Sequence, residues 1–245
     1  MVAVPGGRVE VEDVPGDPER APLLFVHGGV GSLGLWRGFH RRVAEATGRR
    51  AVAYSRLGHG FSDPLPAKPT ARFMHAEATT GVPAVREALG LDRPVLVGHS
   101  DGGSIALMHA ARYPVSGAVA LAPHVFVEEL TLRGVTAAVD DFTDGDLRER
   151  LARHHRDPDA AFHAWSDVWQ SDAFRGWDVR QELPAITCPI LAVQGTADAY
   201  GSTAHIEAVC DKAQGPVELL LLDCDHYPHI EQPDEVLAAI TQFLA

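Results

Sequence analysis

A chain of 245 residues, 46% hydrophobic and 22% charged, has the make-up of a globular protein. At this size folding removes roughly 70% of the unfolded surface from water. The formal net charge is −12, without a basic block, which excludes a nucleic-acid partner. Three cysteines with no CxxC pair predict buried thiols in a reducing cytoplasm, and neither disulfides nor a zinc site. No run approaches 18 apolar residues and the first residues lack a basic-then-apolar pattern, so neither a membrane span nor a secretory leader is expected.

Strand-like apolar runs alternate with stretches of helical period along the chain. Strands are expected at Val9–Val14, Leu23–Val26, Ala51–Tyr54, Val95–Gly98, Gly117–Leu121, Ile190–Gln194 and Val217–Leu222. Helices are expected at about 35–47, 72–90, 102–112, 202–213 and 234–244. The alternation predicts an α/β fold with a mostly parallel, doubly wound sheet. PLLFVHG, PVLVGHS and PILAVQG are continuous apolar runs, the pattern of strands buried on both faces. From 124 to 183 no strand is convincing, and the stretch holds Trp165, Trp169 and Trp177. It predicts a helical cap over the carboxyl ends of the strands, with 1–123 and 184–245 as the core.

The strongest chemical signal is Gly98-His99-Ser100-Asp101-Gly102, between a strand and a helical run. A serine hydroxyl attacks only when it is exposed, near a base and near donors for an oxyanion. A G-x-S-x-G turn between strand and helix exposes it, which makes Ser100 the candidate nucleophile. The glycine-rich loop His27-Gly28-Gly29-Val30-Gly31 follows an earlier strand. Its Gly29 N–H and the Asp101 N–H are the candidate oxyanion donors. Gly29, Gly31 and Gly34 also imitate a dinucleotide-binding loop, but Tyr54-Ser55-Arg56 stands where an acidic ribose ligand belongs.

Asp198 follows the apolar strand PILAV, and His226 follows VELLLLDC. Both leave successive strands at the edge that carries Ser100. A histidine, with its ordinary pKa near 6.5, can take the serine proton at neutral pH. A buried carboxylate fixes its tautomer and stabilises the imidazolium. His229 is the alternative base, and Glu128 or Glu129 the alternative acid. Asp223 and Asp225 lie too close to His226 in sequence to orient it from below. His124, His154, His155 and His163 show no paired metal-ligand spacing and read as surface or cap packing.

HGGVGS, RLGHGFSDP, GHSDGG, GTAD and DHYPHIEQP together resemble the α/β-hydrolase superfamily over nearly the whole chain. The resemblance implies an α/β-hydrolase fold and a Ser, Asp, His order of site residues. It departs from the superfamily at Ser55, where an Asp is common, and at Asp225, where a Gly usually precedes the histidine. Serine at position 100 disfavours dehalogenase and epoxide hydrolase chemistry, which use aspartate there. The elbow GHSDGG is similar to the valacyclovir-hydrolase-like branch, whose Asp after the nucleophile helps bind a substrate ammonium group. That resemblance makes Asp101 a candidate substrate contact, with Trp165 and Trp169 as candidate pocket walls.

The expected activity is hydrolysis of small to medium carboxylic esters by a serine hydrolase, with no metal or organic cofactor. The expected partner is thus a small-molecule ester, and neither nucleic acid nor membrane. An amidase, lactonase or C–C bond hydrolase would use the same residues. A cofactor-free perhydrolase or haloperoxidase, or a ligand receptor without turnover, are the readings of another class.

Overall fold

The computed structural model describes residues 1–245. The chain begins with an antiparallel hairpin of β1 (Val2–Val4) and β2 (Gly7–Val9), then enters the main sheet with β3 (Val11–Val14) and β4 (Leu23–Val26). Helix α1 (Phe39–Thr47) leads to β5 (Ala51–Tyr54), and α2 (Phe73–Ala76) and α3 (Val82–Leu89) lead to β6 (Val95–His99). Helix α4 (Asp101–Ala110) follows β6 directly and precedes β7 (Gly117–Leu121). After β7 come α5 (Glu129–Asp144), α6 (Leu147–Ala152) and α7 (Pro158–Trp169). The core resumes with β8 (Ile190–Gly195), α8 (Ala204–Lys212), β9 (Val217–Leu222), α9 (Pro228–Glu231) and α10 (Pro233–Phe243).

Seven strands form one sheet in the order β3-β5-β4-β6-β7-β8-β9. Only β3 runs antiparallel to its neighbour. Alternation along each strand divides the core into two layers. Leu23, Phe25, Val95 and Val97 point towards Trp36, Phe39 of α1 and Val236, Ile240 of α10. Leu24, Val26 and Leu96 point to the other face, where Ile105 of α4 and Ile206 of α8 pack. Helices on both faces bury the central strands completely, whereas the edge strand β9 leaves Leu219 and Leu221 about half exposed.

Three expected elements differ. The run Val9–Val14 is two strands, because Glu10 turns out of the ladder: its N–H goes to Ser62 Oγ and its carbonyl accepts from Ser55 N–H. The helix near 35–47 starts only at Phe39, since Arg37 and Gly38 both take left-handed φ, 48° and 77°. The helix near 72–90 widens into a π turn at Glu77–Gly81, where the Glu77 carboxyl fills the space that a side chain at 81 would need.

Segment 124–183 contributes no strand to the sheet, only an isolated bridge between Phe126 and Asp178. Its helices hold together through Phe142 stacked on Phe162, with ring centroids 3.9 Å apart. Asp157 caps α7 by accepting from Ala160 N–H at 2.9 Å, with Pro158 at the first helical position.

Candidate active site

The turn from β6 into α4 places Ser100. Its backbone has φ 54° and ψ −124°, a strained conformation for a residue with a side chain. The strain is held by the Ser100 N–H on the Leu121 carbonyl, at 2.9 Å, and by glycines on either side. A methyl group at Gly98 would collide with the Gly102 carbonyl, and one at Gly102 with the Val26 carbonyl. Strand, turn and helix therefore approach closely enough to lift the hydroxyl above the sheet.

Asp198 and His226 lie in the loops after β8 and β9. Thr196 N–H on Leu222 O (2.8 Å) and Ala197 N–H on Cys224 O (3.1 Å) tie these loops together. The Glu231 carboxylate accepts from the N–H groups of Asp225 and Tyr227, which flank the histidine. His99 Nε2 reaches the His226 carbonyl at 2.8 Å. Burial keeps the His99 pKa well below the ordinary histidine value, so this ring is neutral and donates there.

The three predicted side chains come together in one hydrogen-bonded row. His226 Nε2 stands 2.9 Å from Ser100 Oγ. His226 Nδ1 stands 2.8 and 3.0 Å from the two Asp198 oxygens. A carboxylate accepts only, so the ring proton sits on Nδ1 and Nε2 is free to accept from the serine. Asp198 also accepts from the N–H groups of Tyr200 and Gly201 and from the Gln194 amide, at 2.7, 3.1 and 2.6 Å. Burial opposes its charge, but the His226 contact and these N–H groups outweigh burial and hold its pKa below the ordinary aspartate value.

The alternatives take other places. His229 packs against Trp36, Phe39 and His99, and burial pushes its pKa down to about 3. Glu128 is occupied by Ser202 and His205. Asp225 accepts from Ala199 N–H. The dinucleotide look-alike leads into a short turn at Gly34–Trp36 and not into a helix of its own.

The N–H of Gly29 has no partner within the protein, and Asp101 opens α4, where a main-chain N–H is left without an intrahelical acceptor. Both residues line a cavity of about 670 Å³ together with Ser100, His226, Trp165 and Trp169. The Trp165 indole lies against Gly29, so closely that no side chain fits there. Trp169 meets His124 edge-on at 5.1 Å. Trp177 instead stacks on Phe174 behind Trp169 and does not line the cavity.

The Asp101 side chain is fully buried and neither of its oxygens has a hydrogen-bond partner. Burial pushes its pKa up to about 6, against the pull of Arg56, the Trp169 indole and His226. The Trp169 N–H lies beside the carboxyl but is itself unpartnered. No group of three or more His, Cys, Asp or Glu side chains is arranged to hold a metal ion. No helix is long and apolar enough to cross a membrane.

Several supports escaped sequence reasoning. Gln194 and Glu231 look like ordinary surface residues until the loops after β8 and β9 meet. Ser55 anchors a loop despite departing from the superfamily: its Oγ accepts from Leu33 N–H and donates to Glu10. His155, read from sequence as surface or cap packing, is buried against the glycine-rich loop.

A parallel sheet with flanking helices, a strained serine between strand and helix, and a histidine and aspartate on the next two loops define the α/β-hydrolase class of fold. The chain belongs to the alpha/beta hydrolase family, whose sequence pattern it matches over residues 23–239. A proline iminopeptidase of Lactobacillus delbrueckii subsp. lactis is 36% identical over 103 residues, 42% of this chain and 35% of that protein. The chain thus spans about a third of the length of that relative. A proline iminopeptidase of Lactobacillus acidophilus is 22% identical over 92% of this chain and 90% of its own length. Among solved structures, the enol-lactonase of Burkholderia xenovorans LB400 shares the fold with a TM-score of 0.78 at 19% identity, covering 100% of this chain and 99% of its own. An esterase from Exiguobacterium antarcticum has a TM-score of 0.77 at 20% identity, with 99% and 98% covered.

Proposed function

We propose that the chain is a serine hydrolase that cleaves small to medium carboxylic esters through an acyl-enzyme on Ser100. The observation that carries the reading is the row Ser100–His226–Asp198, with contacts of 2.9 and 2.8 Å, whose Ser100 and His226 line a cavity. His226 takes the hydroxyl proton as Oγ attacks the carbonyl carbon. The carbonyl oxygen gains the negative charge and is met by the N–H groups of Gly29 and Asp101. Collapse expels the alkoxide, which leaves with the proton from His226. Water then gives its proton to His226 and attacks the acyl carbon, and the carboxylic acid departs as Ser100 regains its proton. Segment 124–183 acts as the cap that excludes bulk water. No step calls for a metal or an organic cofactor.

A second reading, in which the acyl part carries an amino or imino nitrogen, is favoured by the unpartnered Asp101 carboxyl. The proline iminopeptidase relatives point the same way. The Asp101 carboxyl is sealed from solvent, so this reading requires its surroundings to rearrange before a substrate ammonium reaches it.

Labelling with a fluorophosphonate, followed by digestion and mass spectrometry, is expected to place the adduct on Ser100. Ester turnover is expected to vanish in Ser100→Ala. A label elsewhere, or undiminished turnover in that variant, overturns the reading. A panel of p-nitrophenyl esters, lactones, amides and aminoacyl esters ranks the substrate classes, and the second reading requires aminoacyl compounds to lead.

A further inference from the structure

Four consecutive residues of the glycine-rich loop, Gly28 to Gly31, carry the candidate oxyanion donor, and their peptide groups are pinned from outside. The Gly28 carbonyl accepts from His27 Nδ1 and Arg56 Nη2, each at 2.8 Å, and from Gly31 N–H at 3.2 Å. The Gly29 carbonyl meets His59 Nε2 at 2.8 Å. The Val30 carbonyl meets His155 Nε2 at 3.1 Å. Burial lowers the pKa of all three histidines, His59 to about 3, so each ring is neutral and carries one proton.

The tautomers then follow from the partners. His27 Nε2 accepts from Arg56 N–H at 2.9 Å, leaving Nδ1 to donate to Gly28. His155 Nδ1 accepts from Gly60 N–H at 3.0 Å, leaving Nε2 to donate to Val30. His59 faces a carbonyl at each nitrogen, and the shorter contact, to Gly29, takes its proton.

A trans peptide unit is planar, with its C=O and N–H pointing in opposite directions. Fixing the Gly28 carbonyl outward therefore aims the Gly29 N–H inward. Fixing the Gly29 and Val30 carbonyls stops the two following glycine-flanked units from rotating and carrying the first one with them. Glycines confer no such stiffness themselves. One of these holds comes from segment 124–183: His155 follows α6, and the next residue, Arg156, bonds Gly60 O and Phe61 O.

We propose that Arg56, His59 and His155 are positioning residues that aim the Gly29 N–H at the substrate carbonyl, with His155 making that aim depend on the seating of the helical segment. The proposal rests on the acyl-enzyme reading above. It explains why a buried arginine and two buried histidines surround a loop whose own side chains are nearly absent.

Two substitutions at one position separate the bonds. His155→Gln places an amide donor near Nε2 and loses the acceptor for Gly60, whereas His155→Asn keeps an acceptor near Nδ1 and loses the donor to Val30. With a p-nitrophenyl ester, His155→Asn is expected to lower kcat about 10- to 100-fold with KM within about twofold, and His155→Gln to recover most of the loss. Affinity for a trifluoromethyl ketone, which forms the tetrahedral adduct, should fall with kcat. Affinity for the matching methyl ketone should not.

Thermal unfolding recorded alongside shows whether each variant is folded. Wild-type kcat in folded His155→Asn, or equal losses for both ketones, overturns the positioning role. If Ser100→Ala is inactive while His155→Asn is fully active, the clamp alone falls. If Ser100→Ala remains active, the clamp falls with the acyl-enzyme, since no oxyanion forms there.

Discussion

The sheet and the helical segment above it are built on different principles, and the difference decides where the site is rigid. At the sheet's carboxyl edge, Ser100, Asp198 and His226 leave three strands, and main-chain bonds such as Thr196 N–H to Leu222 O lock their loops. Position there follows first from a main-chain ladder, to which Glu231 and His99 add holds on the loop that carries His226. Segment 124–183 touches the glycine-rich loop through side chains instead: Trp165 on Gly29 and His155 on Val30. The chemistry thus stands on a stiff floor, while the walls of the cavity hang on a few replaceable contacts. Substitutions in the floor should affect the chemical step directly, and substitutions in the walls should affect fit and closure, except where a wall side chain such as His155 holds the glycine-rich loop and so reaches the chemical step.

The largest effect should come from the floor. Asp198→Asn keeps the shape but loses the charge that fixes the His226 tautomer, so kcat should drop about 10³- to 10⁴-fold. A loss under tenfold would mean that the carboxylate only braces the loop after β8. Gly29→Ala is the next step down, because its methyl group strikes the Trp165 indole. About a 100-fold loss in kcat/KM is expected, and the double substitution with Trp165→Ala should recover part of it by making room. Strict additivity of the two would show that floor and wall are uncoupled at this point.

Asp101 tests the boundary between the two regions through stability. Its carboxyl is pushed up to about 6 by burial, so the folded chain holds this proton where the unfolded chain, titrating near 3.9, has released it. Stability should therefore decline as pH rises from about 4 to about 6, by at most about 3 kcal/mol for this group. Asp101→Asn does not titrate, so its melting temperature relative to the parent should improve across that window and level off above it. A pH-independent difference would place the parent carboxyl in solvent or against a partner.

Legibility in the sequence follows the same division. Strands buried on both faces must be continuously apolar, so β4, β6 and β8 were visible as PLLFV, PVLV and PILAV, and the residues just beyond them were the natural place to seek chemistry. The Ser, Asp, His order could be read because each residue sits at a strand end. The roles of Arg56, His59 and His155 could not, because they arise where three distant loops meet and have no period or spacing along the chain. Glu10 ending one strand was hidden for the same reason: contacts with Ser55 and Ser62, distant in sequence, overrode a local pattern.

The smallest expected effect concerns the outer fastening of the wall. Lys68 reaches Asp167 of α7 at 3.1 Å, with the lysine side chain 77% exposed and the aspartate 43%. Asp167 also faces His163 at 3.6 Å, so the carboxylate keeps a second neighbour when the lysine is removed. Exposed pairs of this kind contribute about 0 to 1 kcal/mol, because solvent screens the attraction and two long side chains lose freedom. Lys68→Met should accordingly shift the melting temperature by no more than about 4 °C and leave kcat within about twofold. If calorimetry instead shows a fall of 5 °C or more, or if KM for every ester rises together, the surface pair fastens the segment. The buried contacts at Gly29 and Val30 would then be a consequence of its seating and not the cause.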